Sequence, residues 1–231
     1  MVSSLKVRAV LIDMDGTAAD SNAIVEQSWA EFAQEFGFDL GTVLAFSHGR
    51  PGTETFAKFV PSMDTEEVQS RNRAMLAREH DLAHLVVPIA GADTFLSSLD
   101  DLGVPWALVT SAPRSLARAR FTHANLPWPD VNVPVDDIEQ GKPHPEGYLK
   151  AAAALGVPAE DCVVFEDAPA GIRSGLASGA KVIAVDGSGP LDPTRLGSDS
   201  DLAGNIVAQV PNLETMRVAA TETPGLFQLT W

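Results

Sequence analysis

The stretch VRAVLIDMDGTAAD, residues 7–20, decides the architecture. Residues 7–12 are mostly apolar and rich in branched side chains, and the run stops abruptly at Asp13. Such a run fits a strand buried on both faces, here delivering a carboxylate at its C-terminal end. Asp15 follows two residues later, and Gly16 lets the chain turn, so the two carboxylates need not share a direction.

Three later segments repeat the pattern. WALV at 106–109 ends at Thr110 and Ser111, CVVF at 162–165 ends at Glu166 and Asp167, and KVIAV at 181–185 ends at Asp186 and Gly187. Between them lie helical patterns. Residues 93–102 place Phe95, Leu96, Leu99 and Leu102 on one face before Gly103; 145–155 open on Pro145 and stop at Gly156; 169–178 present Ile172 and Leu176 before Gly179. Alternating strands and helices predict an α/β fold with a parallel sheet, whose ligands bind beyond the carboxyl ends of the strands.

Residues 21–85 follow another rule. Ile24, Trp29, Phe32 and Phe36, and later Met75, Leu76 and Leu82, recur at helical spacing, with turns at Gly37, Gly41, HGRPG (48–52) and Pro61 and no strand run of similar strength. The expected organisation is a discontinuous α/β core, 1–20 and 86–231, interrupted by a small helical domain at 21–85. Beyond Gly187 the chain is rich in Gly, Asp, Ser and Pro, with one short strand expected around 205–210 and a poorly defined tail after it.

Composition narrows the partners. The 231 residues carry 31 acidic against 16 basic side chains, a formal net charge of -15. A surface so acidic repels nucleic acid and anionic membrane, so a phosphate-bearing partner must be held by a local exception, which suits a small metabolite. The one cysteine, Cys162, rules out a disulfide within the chain and a cysteine-cluster metal site, and its apolar run marks it as a buried strand residue. The N-terminal apolar stretch is too short for a signal-peptide core and no run approaches membrane-spanning length, so a cytoplasmic protein is expected.

The strand ends hold the chemistry. Asp13 can attack phosphorus or a carbonyl while Asp15 handles a proton, and attack on a phosphoryl group calls for a cation beside the carboxylate. Standing alone, a D-x-D-G is better read as turn and capping residues, so the case rests on the other strand ends. Glu166 and Asp167 repel each other unless screened by solvent or bridged by a metal, and oxygen-only ligands favour magnesium over zinc. The alternative is that Asp167 caps the helix near Pro169 while Glu166 faces water. Thr110 and Ser111 offer donors for phosphate oxygens, or serve as ordinary caps. Lys142, in GKPHPEG at 141–147, is placed to offset negative charge at Asp13. His80 and His84 stand at i,i+4 but lack the remainder of a zinc motif, and the chain has no Walker P-loop, GxSxG or GxGxxG.

In order, DMDGT, TS, GKP and EDAPAG resemble the haloacid dehalogenase superfamily in its helical-cap branch, over nearly the whole chain. The resemblance implies a Rossmann-like parallel-sheet core with an inserted helical cap, and a magnesium-dependent phosphomonoester hydrolase. By the same resemblance, Asp13 forms an aspartyl-phosphate, Asp15 protonates the leaving group and then activates water, Thr110 binds phosphate, and Lys142 steadies nucleophile and phosphate. Magnesium is implied at Asp13, the Asp15 backbone carbonyl and Asp167, with Glu166 supporting the site directly or through water. Dehalogenases of the superfamily typically lack the DxDGT pair and the metal.

SNAIVEQSW (21–29), SHGRPGTETFAKF (47–59), VTSAP (109–113) and FEDAPAGI (165–172) are similar to glycerol-phosphate and 2-deoxyglucose-6-phosphate phosphatases. That likeness implies a sugar or polyol phosphate as substrate and brings Ser111 and the cap-loop residues His48, Gly49 and Arg50 near it. A β-phosphoglucomutase is the rival. Such mutases resemble one another in a cap-side histidine roughly where this chain has Val25.

Overall fold

The computed structural model describes residues 3–186 and 206–231. The first stretch splits at Arg8 into β1 (Ser4–Val7) and β2 (Ala9–Ile12). β2 lies inside a parallel six-stranded sheet. Its other strands are β5 (Trp106–Val109), β6 (Val131–Val133), β7 (Cys162–Glu166), β8 (Lys181–Val185) and β9 (Ile206–Val210), in the order β6-β5-β2-β7-β8-β9. The chain leaves β2 towards β5 and β6, then crosses to β7, β8 and β9. β2 therefore sits at the switch in strand order, where open α/β sheets form their ligand crevice.

Alternation divides each strand between two cores. Val10, Ile12, Leu108, Val163, Phe165 and Ile183 pack with Phe95, Leu96 and Leu99 of α5 (Ala92–Asp101) and with Leu116, Ala117 and Phe121 of α6 (Arg114–His123). On the opposite face Leu11, Ala107, Val109, Val164 and Val182 pack with Tyr148, Ala151 and Ala152 of α7 (Glu146–Leu155) and with Ile172 and Leu176 of α8 (Pro169–Ala177). Helices on both faces explain why the strand segments are apolar almost without interruption. Cys162 belongs to this second core, and burial pushes its thiol up to about 12.

Residues 22–81 form four helices: α1 (Asn22–Phe36), α2 (Leu40–Ser47), α3 (Gly52–Phe59) and α4 (Thr65–Asp81). Asp39 and Asp64 cap α2 and α4, accepting from the backbone N–H of Thr42 and Glu67 at 2.8 Å each. The helices share a separate core, in which Phe32 meets Trp29, Phe36, Phe38, Phe56 and Phe59. Two short antiparallel strands, β3 (Ala19–Asp20) and β4 (Val87–Pro88), pair where the chain leaves the core and returns.

Some strands were not foreseen, one was, and the tail departs from expectation. β6 and the β3–β4 pair lack strong apolar runs and escape sequence patterning. The strand expected around 205–210 is present as β9, although Asn205, like Gly187, lies outside the described residues. The tail is ordered: β10 (Arg217–Ala220) and β11 (Phe227–Thr230) pair antiparallel, and β11 also pairs with β1. Phe227 and Leu229 point into the first core, a pattern too short to announce itself when its partner is the other end of the chain. Among the described residues, no helix is long and apolar enough to cross a membrane.

Candidate active site

Directly after β2 comes Asp13, whose N–H donates to the Phe165 carbonyl of β7 at 3.0 Å, fixing the residue at the sheet's carboxyl edge. The chain then folds back, with Ala18 and Ala19 donating to the Met14 carbonyl at 2.9 and 2.8 Å. Gly16 makes this possible: its φ is +82°, and a Cβ there would collide with the Asp167 carboxylate. Thr17 Oγ1 donates to Asp167 Oδ1 at 3.4 Å, joining the turn to the end of β7. Asp13 and Asp15 are thereby separated in direction. Asp13 is buried, while Asp15 retains partial exposure and accepts at Oδ1 from Ser21 Oγ at 2.5 Å and from Arg120 Nη1 at 2.7 Å.

Lys142 enters this acidic corner from the turn before α7. Its buried Nζ donates to Asp13 Oδ1, to Glu166 Oε1 at 2.7 Å and to the Val109 carbonyl at 3.2 Å. All three ammonium protons have acceptors. Burial opposes the charge, but Asp13 and Glu166 outweigh it and hold the ammonium above its usual range. Glu166 is fully buried; Tyr148 Oη donates to its Oε1 at 2.8 Å and Ala168 N–H to its Oε2 at 3.1 Å. Glu166 therefore does not face water. Nor does Asp167 cap α8, whose N-cap is Ala168 with no side-chain cap bond.

Oxygens of Asp13, Glu166 and Asp167 lie within 4.8 Å of one another. Burial, and then the neighbouring Glu166, push the Asp13 carboxyl well above the ordinary range, with Asp167 and Asp15 adding to the rise against Lys142. Crowded, buried, oxygen-only carboxylates of this kind fit a hard divalent cation, which would relieve their repulsion. Asp13, Asp15 and Asp167 line the adjacent cavity, whereas Glu166 stands behind them, tied to Lys142.

That cavity, of about 100 Å³, lies between the sheet edge and the four helices. Thr110 and Ser111 reach it from the end of β5, and His48, Gly49 and Arg50 reach it from the loop after α2. Thr110 Oγ1 accepts from the Ala112 N–H at 3.1 Å, and Ser111 Oγ donates to the Gly49 carbonyl at 2.9 Å, a direct bond between core and helical region. Gly49 is needed there: its φ is +76°, and a Cβ would lie 2.8 Å from that of Ala168. Arg50 is engaged by Glu54 at 3.2 Å and lies 4.6 Å from the centre of the Phe46 ring. All ten residues singled out from the sequence thus gather around one cavity wall or directly behind it.

Sequence reasoning missed four others: Ser21, Glu79, Arg120 and Tyr148. Arg120 had a signal, because it interrupts the buried stripe of α6 between Ala117 and Phe121. Glu79 had none, because it lies in the polar end of α4 and only the packing buries it. No comparable signal marks Tyr148, whose hydroxyl partner is set only by the α7–β7 packing.

Comparisons with known proteins agree with this geometry. A family profile for haloacid dehalogenase-like hydrolases matches residues 7–179. Hexitol phosphatase A of Escherichia coli is 37% identical over 206 residues, covering 89% of this chain and 94% of that protein. Glycerol-1-phosphate phosphohydrolase 2 of Saccharomyces cerevisiae is 36% identical over 198 residues, covering 82% of this chain and 78% of its own. A solved β-phosphoglucomutase from Clostridium difficile superposes with a TM-score of 0.75 over 91% of this chain and 93% of that one; at 17% identity the likeness is one of fold. The chain belongs to the haloacid dehalogenase-like hydrolases.

Proposed function

We propose that this protein is a magnesium-dependent phosphatase of small sugar or polyol phosphate monoesters, acting through an aspartyl-phosphate on Asp13. One observation carries the reading: the Asp13 carboxylate is buried at the carboxyl end of the central strand, paired with Lys142 and beside Asp167, at the wall of a capped cavity. The similarity to hexitol- and glycerol-phosphate phosphatases supports the substrate class, and the small cavity suits such a molecule.

In this reading Asp13 and Asp167, with the Asp15 backbone carbonyl, would hold magnesium, which would supply positive charge beside the phosphoryl group. Glu166 supports the set indirectly, by fixing Lys142. Lys142 keeps one Asp13 oxygen oriented. Donors around Thr110 and Ser111 receive the phosphate, and the other Asp13 oxygen attacks phosphorus in line. Asp15 gives its proton to the departing alcohol and then accepts one from the water that hydrolyses the acyl phosphate. His48, Gly49 and Arg50 close the substrate side, and the helical region, residues 21–85, acts as the cap that excludes bulk water. Val25 on α1 lines the cavity, and an apolar side chain there favours the phosphatase over the mutase.

The test is phosphate release, with and without magnesium, from glycerol 1-phosphate, a hexitol phosphate, 2-deoxyglucose 6-phosphate and β-glucose 1-phosphate, with each reaction checked for isomerised sugar. Magnesium-dependent release is expected. Isomerisation of β-glucose 1-phosphate with little free phosphate would establish the mutase, and no turnover of any monoester would overturn both.

A further inference from the structure

Arg120 is the largest fully buried side chain among the described residues, and it is charged. Leu116, Ala117 and Phe121 surround it on the core-facing stripe of α6. A guanidinium in such a place is tolerated only when paired. Its fork reaches two elements: Nη1 donates to Asp15 Oδ1 at 2.7 Å, and Nη2 to Glu79 Oε2, on the last turns of α4, at 2.8 Å. Arg120, Asp15 and Glu79 all line the cavity.

The manner in which Asp15 is held separates a functional role from a plain buried ion pair. Both of its hydrogen bonds, from Arg120 and from Ser21, fall on Oδ1, so among the described residues Oδ2 accepts none. One oxygen is anchored and the other is left for proton transfer. The anchor depends on the helical region from two sides, because Ser21 is the N-cap of α1 and Glu79 belongs to α4. Glu79 is buried and is held in turn by Arg120.

We propose that Arg120 is a positioning residue for Asp15: it fixes the carboxylate so that Oδ2 faces the leaving-group oxygen, and through Glu79 it ties that orientation to the seating of the helical cap. The proposal rests on the phosphatase reading. As the Asp13–phosphorus bond forms and the phosphorus–alkoxide bond breaks, the proton on Oδ2 passes to the alkoxide. An aliphatic alkoxide needs that proton, whereas p-nitrophenolate leaves without it.

The experiment compares kcat/KM for the best aliphatic monoester with that for p-nitrophenyl phosphate, in magnesium. It uses wild type, Arg120→Lys, and the double variant Arg120→Met with Glu79→Met, which strands no buried charge. General acid catalysis contributes roughly 10²–10⁴-fold, so the double variant should lose at least about tenfold more on the aliphatic ester than on the aryl ester. Arg120→Lys should fall between the double variant and wild type, because an ammonium reaches one carboxylate but cannot span both. Equal losses on the two esters, in either variant, would mean that Arg120 merely holds the fold and would overturn the proposal; so would no loss. If the double variant fails to fold, the ester ratio of Arg120→Lys decides alone. Wild type without turnover of either ester would refute the phosphatase reading itself, a result distinct from equal losses.

Discussion

Gly171→Ala should destabilise this protein, although the residue lies within a helix, where that exchange ordinarily helps. Replacing a mid-helix glycine by alanine is worth about 0.5–1 kcal/mol in favour of alanine. At Gly171 the new methyl would stand inside van der Waals contact with three atoms of the Glu166 carboxylate. That carboxylate is fully buried and accepts from Lys142, Tyr148 and Ala168. It cannot yield without releasing them, and stranding one member of a buried ion pair costs about 3–5 kcal/mol. Packing therefore outweighs propensity, for a net loss of about 2–4 kcal/mol. Against a typical stability of about 5–15 kcal/mol the variant still folds. Urea unfolding should show a lower midpoint at an unchanged slope, and phosphate release should fall because Lys142 loses a partner. A midpoint equal to or above that of wild type, with full activity, would refute the claim that Glu166 is held rigidly behind the site.

Other outcomes follow from the same geometry. Asp13→Asn, nearly isosteric, should retain the circular dichroism of wild type while phosphate release drops on the order of 10⁴-fold or more; residual turnover near wild type would remove Asp13 as nucleophile. Tyr148→Phe deletes one donor to a buried carboxylate that keeps Lys142, so urea unfolding should show about 1.5–3 kcal/mol lost, and no change would mean that the hydroxyl bond is not formed in solution. Glu146 is lowered to about 2 from an ordinary 4.5 by Lys150 and by the backbone N–H groups of Glu139 and Gln140. Its folded-state value is depressed, so the stability it adds is present above about pH 4.5 and disappears as pH falls towards 2. The advantage of wild type over Glu146→Gln in thermal unfolding should shrink across that window; a constant difference would refute the assignment.

Much of this could be foreseen because the core strands are buried on both faces. Burial on both faces demands a continuous apolar run, so β2, β5, β7 and β8 stood out, and the first three ended at polar residues that now line or back the cavity. Where burial is one-sided or brief, the signal faded: β1, β10 and β11 form a small sheet from the two ends of the chain, and β3 and β4 are two residues each. At the site, residues on strand ends could be located, whereas Arg120, Glu79 and Tyr148 act from helices whose packing brings them there. A charge on an apolar stripe was the one clue available, and it says that a partner exists without saying which.

The charge inventory explains how so acidic a chain accommodates a phosphate. Asp13, Asp15, Glu79, Glu166 and Asp167 meet around the cavity, opposed by Lys142 and Arg120. Each cation is already engaged by two carboxylates, and Arg50 is occupied by Glu54. None is an uncommitted counter-ion for the substrate, and burial with the neighbouring Glu166 already pushes the Asp13 carboxyl up. Bringing a phosphate dianion to Asp13 therefore adds like charge to like charge, unless a divalent cation at Asp13 and Asp167 accompanies it. Burial and the neighbouring carboxylates oppose ionisation of Asp13 against Lys142, and a cation would favour the ionised form that attacks. On this argument the metal would act first by offsetting the negative charge crowded at Asp13 beside the phosphate. Chelation should then abolish phosphoryl transfer to Asp13 even from p-nitrophenyl phosphate, which needs no help from Asp15. Rapid metal-free transfer from that ester, followed by rapid quench and acid-stable trapping of the acyl phosphate, would show the argument to be wrong.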